Sequence, residues 1–204
     1  WLCAGFPIKH HGAVREIALI RESEAGQEEA GGLTARWGAD YHEAMRTLIT
    51  GGIKSGKSSH ALELAQAFPE PRFFLATAQP IDGEMESRIA RHKADRGDRF
   101  LTIEEPLLIH ENLKENMILD CLTLWVNNVI YYGRESELES WCTELIARLP
   151  RNIVIVTNEV GMGFVPADPL SRRYGLLLGK VNAAVASVCD SVLLMVAGQP
   201  LRIK

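Results

Sequence analysis

Gly51-Gly-Ile-Lys-Ser-Gly-Lys-Ser58 follows a short apolar run, Thr47-Leu-Ile-Thr50, and this stretch decides the fold of the chain. It satisfies G-x-x-x-x-G-K-[ST], the pattern of a phosphate-binding loop. Its glycines let backbone N–H groups turn inward around an anion, and the dipole of a following helix adds to the attraction. The sequence therefore predicts a nucleoside triphosphate site, in which Lys57 reaches the β- and γ-phosphates and Ser58 places its hydroxyl on Mg²⁺.

The residues after the loop supply the helix that such a loop needs. Residues 57–68 carry apolar side chains at helical spacing, and Pro69 ends the pattern. Without this strand-loop-helix context, the motif would be an ordinary glycine turn. A second pair, Gly179-Lys180, lacks the glycine spacing and is followed by Val181 where a hydroxyl is required. That pair is predicted to lie in a helix and to bind nothing.

Composition places the chain among ordinary globular proteins. It has 204 residues, 47% apolar and 24% charged, with a net charge of −4, which is enough for one enzyme-sized domain. The sequence has no dense stripe of Lys and Arg, so a nucleic-acid partner is not expected. No apolar run is long enough to predict a membrane span. Four cysteines, at 3, 121, 142 and 189, lack metal-site spacing. Free thiols in a reducing cytoplasm are expected.

Two segments are expected along the chain. Met45 lies two residues before the first predicted strand. Residues 1–44 are too polar for a secretory signal and show no clear periodicity. We expect 1–44 to be a poorly ordered N-terminal extension of unknown role and 45–204 to be the phosphate-loop domain.

Apolar runs alternate with helical patterns over the remaining chain, which predicts an α/β fold whose mostly parallel sheet has helices on both faces. The predicted strands cover 47–50, 72–77, 99–103, 117–121, 152–157 and 191–196, and the helices 57–68, 82–95, 122–132, 136–149 and 170–187. Ligands bind at the carboxyl ends of such strands. Candidate site residues therefore follow the strands, namely Thr77, Gln79, Asp120, Asn158 and Glu159.

Two of these candidates are acidic. Asp120 ends an apolar strand in the manner of a carboxylate that holds Mg²⁺ beside a phosphate loop; the alternative is a turn residue at a strand end. Glu159 opens a glycine-rich turn. It is either a second acidic group near the metal or a residue that shapes the turn.

Residues 82–96 form a predicted helix that carries a candidate nucleophile. Met85, Ile89 and His92 lie at i, i+4 and i+7 and so share one face. Such a histidine is either a satisfied core residue or a catalyst. Arg88 and Arg96 lie one turn to each side and suit phosphate oxygens. Neutral imidazole is also a competent nucleophile, and phosphorus bound to it is transferable.

Together these motifs resemble one enzyme family. They are GGIKSGKSS at 51–59, ATAQPIDGEMESRIARHKADR at 76–96, TIEEPL at 102–107, ILDCLTLWVNN at 118–128 and TNEVGMGFVP at 157–166. From about Met45 onward the chain resembles the adenosylcobinamide kinase / adenosylcobinamide-phosphate guanylyltransferase family of cobalamin biosynthesis. The resemblance implies a RecA-like phosphate-loop fold and a homotrimer. It also implies phosphorylation of adenosylcobinamide by ATP or GTP, then transfer of GMP from GTP through a covalent histidine.

The resemblance also implies roles for residues. The guanylylated histidine falls on His92, with Lys57 as the second catalytic residue and Ser58 and Asp120 as metal ligands. Nucleotide contacts fall on Gly51, Gly52, Ile53, Lys54, Ser55, Gly56, Lys57, Ser58, Thr77, Ala78, Gln79, Lys93, Ala94, Asp95, Arg96, Glu104 and Asp120. Family members commonly carry an arginine-aspartate pair where this chain has Gly175 and Leu176, so contacts to the corrinoid substrate or between subunits are expected to differ.

Two other functions are compatible with the residues. One is a small-molecule kinase in which His92 is only structural. The other is a nucleotide-dependent switch, although no N-K-x-D segment of the kind that selects the base in signalling GTPases is recognisable. The sequence does not separate ATP from GTP in the phosphorylation step.

Overall fold

The computed structural model describes residues 45–204; within that range it leaves out the side chains of Glu84, Arg88 and Asp95. The prediction for residues 1–44 lies outside the described residues. The strands are β1 Arg46–Gly51, β2 Phe73–Ala76, β3 Leu101–Glu104, β4 Met117–Asp120, β5 Ile153–Val156, β6 Ser191–Val196 and β7 Gln199–Arg202. The α-helices are α1 Lys57–Ala65, α2 Gly83–Arg96, α3 Leu122–Tyr131, α4 Leu138–Arg148 and α5 Pro169–Val188.

The strands form one sheet in the order β3-β2-β4-β5-β1-β6-β7. Neighbours are parallel except β6 and β7, which form an antiparallel hairpin. One strand, β5, separates the phosphate-loop strand β1 from β4, which ends in Asp120. The predicted RecA-like phosphate-loop fold is confirmed. The carboxyl ends of the parallel strands meet at one edge, where ligands bind in open α/β sheets.

Two apolar layers cover the sheet. One contains Trp125, Leu145 and Val185 from α3, α4 and α5, together with Leu48 and Leu119 from the strands. The opposite layer packs small side chains of α1 against β1, β4 and β5. Strands buried on both faces read as continuous apolar sequence, and this is why their prediction succeeded. No helix in residues 45–204 is both long and apolar enough to span a bilayer.

One predicted boundary was wrong and one strand was not predicted. Helix α1 ends at Ala65 and does not reach Phe68; the chain then tightens into i→i−3 hydrogen bonds, from Ala67 N–H to Leu64 O and from Phe68 N–H to Ala65 O. The sheet also continues beyond the strand predicted to be last. Ala197 and Gly198, both at positive φ, form a two-residue turn that folds β7 back on β6.

Candidate nucleotide and transfer site

The phosphate loop runs from Gly51 to Ser58 and has a backbone that most residues could not adopt. Gly51 has φ +143° and Gly56 has φ +93°, and a Cβ at Gly51 would collide with the carbonyl oxygen of Met195 on β6. Lys54 also has a positive φ of 56°. Gly51 and Gly56 are therefore required by backbone conformation and, at Gly51, also by the close approach of the neighbouring strand.

The Lys57 side chain lies inside this loop. It is 8% exposed, and its Nζ donates to the carbonyl oxygens of Gly52 at 2.5 Å and Gly51 at 3.1 Å. The Ser55 hydroxyl lies 3.4 Å from the same nitrogen. The ammonium group thus already occupies the mouth of the loop, where a triphosphate would be bound.

The N-terminus of α1 is open to a ligand. Its N-cap is Gly56, which has no side chain to accept a hydrogen bond from the first turn. The leading N–H groups of a helix have no partner within the helix, and together with the helix dipole they attract anions. Loop and helix therefore combine into one anion-binding surface.

Ser58 and Asp120 connect the phosphate loop to the end of β4. The Ser58 hydroxyl donates to Oδ2 of Asp120 at 3.2 Å, although β5 lies between their two strands in the sheet. A hydroxyl and a carboxylate are the hard oxygen ligands that Mg²⁺ prefers when the remaining ligands are phosphates and water. The chemistry of this pair fits the predicted metal role.

A cavity of about 310 Å³ opens beside Asp120, at the lower end of the range for small-molecule sites. Its walls come from α2, the carboxyl ends of β2, β3 and β4, and the start of α3. The lining residues are Phe74, Ala76, Ala78, Pro80, Met85, Glu86, Ile89, Ala90, His92, Lys93, Arg96, Glu104, Asp120, Cys121 and Leu124. His92 and Asp120 thus line one cavity, and Asp120 contacts Ser58 of the phosphate loop.

Helix α2 presents to this cavity the face that the sequence predicts. Asp82 caps the helix by accepting from Met85 N–H at 2.7 Å. Met85, Ile89 and His92 all line the cavity, and His92 is half-buried. The imidazole therefore lies at a cavity wall and not in the closed core, which removes the main structural argument for a core histidine.

Two cationic side chains follow His92 on α2 and line the same cavity. Lys93 Nζ lies 2.6 Å from Oε1 of Glu104 at the end of β3, with both side chains more than half exposed. Arg96 is buried, with its guanidinium carbon 3.9 Å from the centre of the Phe74 ring. Such a stacked guanidinium keeps its charge and its planar donors in a protected place. The cavity therefore has two positive charges near its histidine.

Several predicted nucleotide contacts have other partners. Thr77 is fully buried, where its hydroxyl donates to Cys121 O at 2.8 Å and accepts from Cys121 N–H at 2.9 Å. Oε1 of Gln79 accepts from the Tyr132 hydroxyl at 3.0 Å, whereas its neighbour Ala78 lines the cavity. Thr77 and Gln79 do not line the cavity themselves; their hydrogen bonds hold the residues on either side of Ala78. Ala94 is exposed, and the side chain of Asp95 lies outside the description.

Glu159 lies in a turn. Its Oε1 accepts from Gly161 N–H at 2.9 Å, and its own N–H donates to Gly51 O at 3.1 Å. These contacts favour the turn-shaping alternative over a second metal ligand. The turn also fixes the first residue of the phosphate loop, a contact that the sequence did not indicate.

Sequence reasoning missed three polar residues that hold the carboxyl edge together; Asn128 and Thr123 are buried, and Asn182 is partly buried. Asn128 donates to Thr77 O at 2.8 Å and to Pro106 O at 3.1 Å. Asn182 accepts from the Thr157 hydroxyl at 2.8 Å, and the Thr123 hydroxyl accepts from Asn158 N–H at 2.7 Å. The available signal was a polar residue inside an apolar helical pattern, because buried polar groups need partners.

The cysteines of the described range are free, as the sequence predicts for Cys121, Cys142 and Cys189. Burial raises the pKa of the Cys142 thiol, and burial together with the nearby Asp190 carboxylate raises the pKa of Cys189 to about 12. Both thiols therefore stay protonated and unreactive near neutral pH. Cys3 lies outside the described residues.

Comparison with known proteins now identifies the family. Residues 47–203 match the family model described as "Cobinamide kinase / cobinamide phosphate guanyltransferase". The chain belongs to this family. The match confirms the recognition made from the motifs and the predicted enzyme class, a kinase and nucleotidyltransferase family of cobalamin biosynthesis.

Curated relatives agree with this assignment. The chain is 40% identical over 169 residues to the bifunctional adenosylcobalamin biosynthesis protein CobP of Pseudomonas aeruginosa, covering 78% of this chain and 98% of the relative. It is 35% identical over 182 residues to the bifunctional adenosylcobalamin biosynthesis protein CobU of Escherichia coli, covering 78% and 100%. It is 36% identical over 182 residues to the bifunctional adenosylcobalamin biosynthesis protein CobU of Salmonella typhimurium, covering 78% of this chain and 100% of the relative.

Solved structures give weaker resemblances. The flagellar accessory protein FlaH of Methanocaldococcus jannaschii has a TM-score of 0.40 at 12% identity, over 79% of this chain and 78% of that one. The ATPase EscN of the enteropathogenic E. coli type III secretion system has a TM-score of 0.47 at 13% identity, over 76% and 43%. Both are too distant to bear on function.

Proposed function

We propose that this chain phosphorylates adenosylcobinamide with ATP or GTP and then transfers GMP from GTP to the product through His92. Family membership supports the pair of reactions. The observation that carries the role of His92 is its place on the cavity wall with Asp120, which the Ser58 hydroxyl joins to the phosphate loop at 3.2 Å. A triphosphate in the loop would thus lie beside the cavity that contains the imidazole.

The phosphorylation step needs little covalent chemistry from the protein. The substrate hydroxyl attacks the γ-phosphorus, the bond to the β-γ bridging oxygen breaks, and a nucleoside diphosphate leaves while the hydroxyl proton passes to a base or water. Lys57 and the loop N–H groups stabilise the charge that develops on the phosphate oxygens. Ser58 and Asp120 would hold Mg²⁺, which when bound neutralises phosphate charge.

Guanylyl transfer proceeds in two displacements. A neutral imidazole nitrogen of His92 attacks the α-phosphorus of GTP; an N–P bond forms, the bond to the α-β bridging oxygen breaks, and pyrophosphate leaves. The substrate phosphate oxygen then attacks the same phosphorus and the N–P bond breaks. With a proton on its second ring nitrogen the imidazole leaves as a neutral molecule, which is a better leaving group than the imidazolate anion, so proton control at His92 is part of the mechanism. Lys93 and Arg96 line the cavity beside it and stabilise the transferring group.

Incubation with GTP labelled at the α-phosphorus tests the covalent step. We expect label that survives denaturation, is released by acid, and is absent from His92→Ala, while that variant still binds GTP and phosphorylates adenosylcobinamide. His60→Gln is the matched control, since His60 lies on α1 and pairs with Glu63 at 3.5 Å; it should label normally. If no label forms while phosphorylation is intact, the simple kinase becomes the better account.

Cellular setting and assembly complete the proposal. We propose that the chain acts in the cytoplasm on a corrinoid substrate and assembles as a homotrimer, as the resemblance of its motifs implies. Sedimentation of the purified chain with and without GTP tests the trimer; a monomer at working concentration would contradict it.

A further inference from the structure

The β6–β7 hairpin lies against the phosphate loop at two points. Gly198, in the hairpin turn, donates its N–H to Ser55 O at 3.1 Å. A Cβ placed on Gly56 would lie 3.4 Å from Gly198 Cα and 3.6 Å from Met195 Cε. Beside these contacts, β1 and β6 pair in register with Gly51 opposite Met195. The loop therefore rests on a hairpin that lies more than 130 residues further along the sequence.

We propose that Gly198 is a positioning residue for triphosphate binding, because it sets the orientation of the peptide group between Ser55 and Gly56. In a planar trans peptide, the C=O and the N–H point in opposite directions. The hydrogen bond from Gly198 directs Ser55 O toward the hairpin. The N–H of Gly56 must then point away from the hairpin, toward the side on which the loop receives an anion.

This orientation matters because the peptide could rotate. Rotation of the peptide between Ser55 and Gly56 changes ψ of Ser55 and φ of Gly56, and Gly56, now at φ +93°, tolerates either sign of φ because it has no Cβ. A rotated peptide would present Ser55 O to the phosphates, replacing a donor with an acceptor. Preorganised N–H groups bind anions without paying for reorientation. Gly198 thus acts on the phosphates through the loop backbone and does not touch them.

The turn itself is suited to this contact. Ala197 has φ 50° and Gly198 φ 80°, the positive values of the two central residues of a type I′ turn. A Cβ at Gly198 would meet no atom within 4 Å, so space does not explain the glycine. The positive φ explains the glycine, and this backbone conformation directs the Gly198 N–H toward the phosphate loop.

Replacing the Gly198 amide by an ester removes the donor without changing a side chain. A synthetic segment that carries glycolic acid at position 198 can be ligated at the native Cys189 to give the full chain. The matched control is an ester at Ile203, whose N–H donates to Val192 O at 2.8 Å within the hairpin and does not contact the loop. Both products are checked for equal thermal unfolding midpoints before binding is measured.

Binding of GTP with Mg²⁺ is then compared with binding of guanosine, which has no phosphate. We expect the ester at 198 to weaken GTP affinity roughly threefold to tenfold relative to the ester at 203, with guanosine affinity unchanged. Equal GTP affinity in the two esters would overturn the inference, and so would a parallel loss of guanosine affinity. The inference requires triphosphate binding only; it stands if His92 carries no GMP, and absence of GTP binding by the unmodified chain would contradict it together with the proposed function.

Discussion

The phosphate loop, residues 51–58, is held by hydrogen bonds from the ends of three different strands, whereas α2 is joined to the sheet mainly by side chains near its C-terminal end. Glu159 N–H, Gly198 N–H and the Asp120 carboxylate contact the loop. On α2, Lys93 meets Glu104 and Arg96 meets Phe74. The phosphate loop is therefore fixed in several directions, whereas these two described contacts of α2, the helix that carries the proposed nucleophile His92, both lie near its C-terminal end.

The two helices at the site also differ at their N-termini, because α1 has no side-chain cap and α2 has one. Helix α1 begins at Gly56, which offers no side-chain cap, and the positive end of its dipole attracts an anion. Helix α2 begins at Asp82, whose carboxylate accepts from Met85 N–H at 2.7 Å. A cap satisfies the helix itself, while an open start attracts an anion. We therefore expect the phosphate loop to serve binding and α2 to serve the chemical step, and substitutions should separate the two.

The largest effect is expected from Lys57→Ala. The ammonium lies inside the loop against Gly51 O and Gly52 O, so its loss removes the charge that faces the triphosphate. Both phosphorylation and guanylyl transfer should fall by roughly 100-fold or more. Lys180→Ala, which removes an exposed lysine on α5 that also follows a glycine, should leave both rates unchanged. Retention of either activity in Lys57→Ala would contradict the binding role of the loop.

Ser58→Ala should come next. Its hydroxyl meets Asp120 at 3.2 Å, and this link belongs to the loop region, so both reactions should slow by roughly tenfold to a hundredfold. The dependence of the rates on Mg²⁺ concentration should also shift to higher concentrations. Ser59→Ala changes the adjacent, exposed serine and is the control. An effect confined to guanylyl transfer would show that the hydroxyl serves the second region alone.

One pair of glycines compares the rigidity of the two regions directly. Gly51→Ala places a Cβ against Met195 O and strains a φ of +143°, which should lower the free energy of unfolding by about 2–4 kcal/mol. Gly83→Ala, at the start of α2, meets no atom within 4 Å and should raise it by about 0.5 kcal/mol. Chemical denaturation measures both. Similar losses in the two variants would contradict the contrast.

The phosphate loop and the individual strands could be predicted because each has a pattern that lies within one short segment of the sequence. A glycine pattern, an apolar strand and a periodic helix lie next to each other in residues 47–65, and burial on both faces makes central strands continuous in apolarity. The common cavity face of Met85, Ile89 and His92 followed from helical period alone. These features require no knowledge of distant residues.

The rest depends on partners that are far apart in the chain. Thr77 stays a predicted nucleotide contact, but the sequence did not indicate that its hydroxyl donates to the carbonyl of Cys121, 44 residues away. Gln79 also stays a predicted contact, and the sequence did not indicate that its amide oxygen accepts from Tyr132. Strand β7, Gln199–Arg202, was missed because it is a four-residue edge strand that contains a proline. Such a short segment shows almost no alternation of apolar and polar residues. Side-chain pairing across the sheet is set by topology, which spacing along one segment does not encode.

Substitutions in the ion pair between Lys93 and Glu104 test whether this pair only tethers α2 to the sheet or also contacts the nucleotide. Both side chains are more than half exposed, so Lys93→Ala and Glu104→Ala should change the free energy of unfolding by less than about 1 kcal/mol. Guanylyl transfer should nevertheless fall several-fold. The doubly exchanged variant, Lys93→Glu with Glu104→Lys, separates two roles. It restores transfer if the pair only tethers α2, and it fails to do so if either side chain contacts the nucleotide, as the family resemblance implies.

The smallest effect concerns a helix start outside the cavity. Asp168 caps α5 by accepting from Ser171 N–H at 2.7 Å, and this backbone hydrogen bond is the main reason that the pKa of its carboxyl is lowered. A lowered pKa in the folded state means that the charged cap stabilises the protein above the ordinary carboxyl pKa of 3.8. That stabilisation is lost as the pH falls through the folded-state pKa.

Asp168→Asn keeps an oxygen acceptor at this cap but has no proton to gain. Thermal unfolding midpoints of both proteins, measured from neutral pH to below 3.8, should differ by a constant amount at higher pH and converge in acid. A difference that stays constant throughout would show that the cap does not titrate with folding. Because α5 starts with a satisfied cap, as α2 does at Asp82, neither reaction should change in this variant at neutral pH. A loss of GTP affinity in Asp168→Asn would therefore contradict the view that, of these three helix starts, only the open one at Gly56 binds an anion.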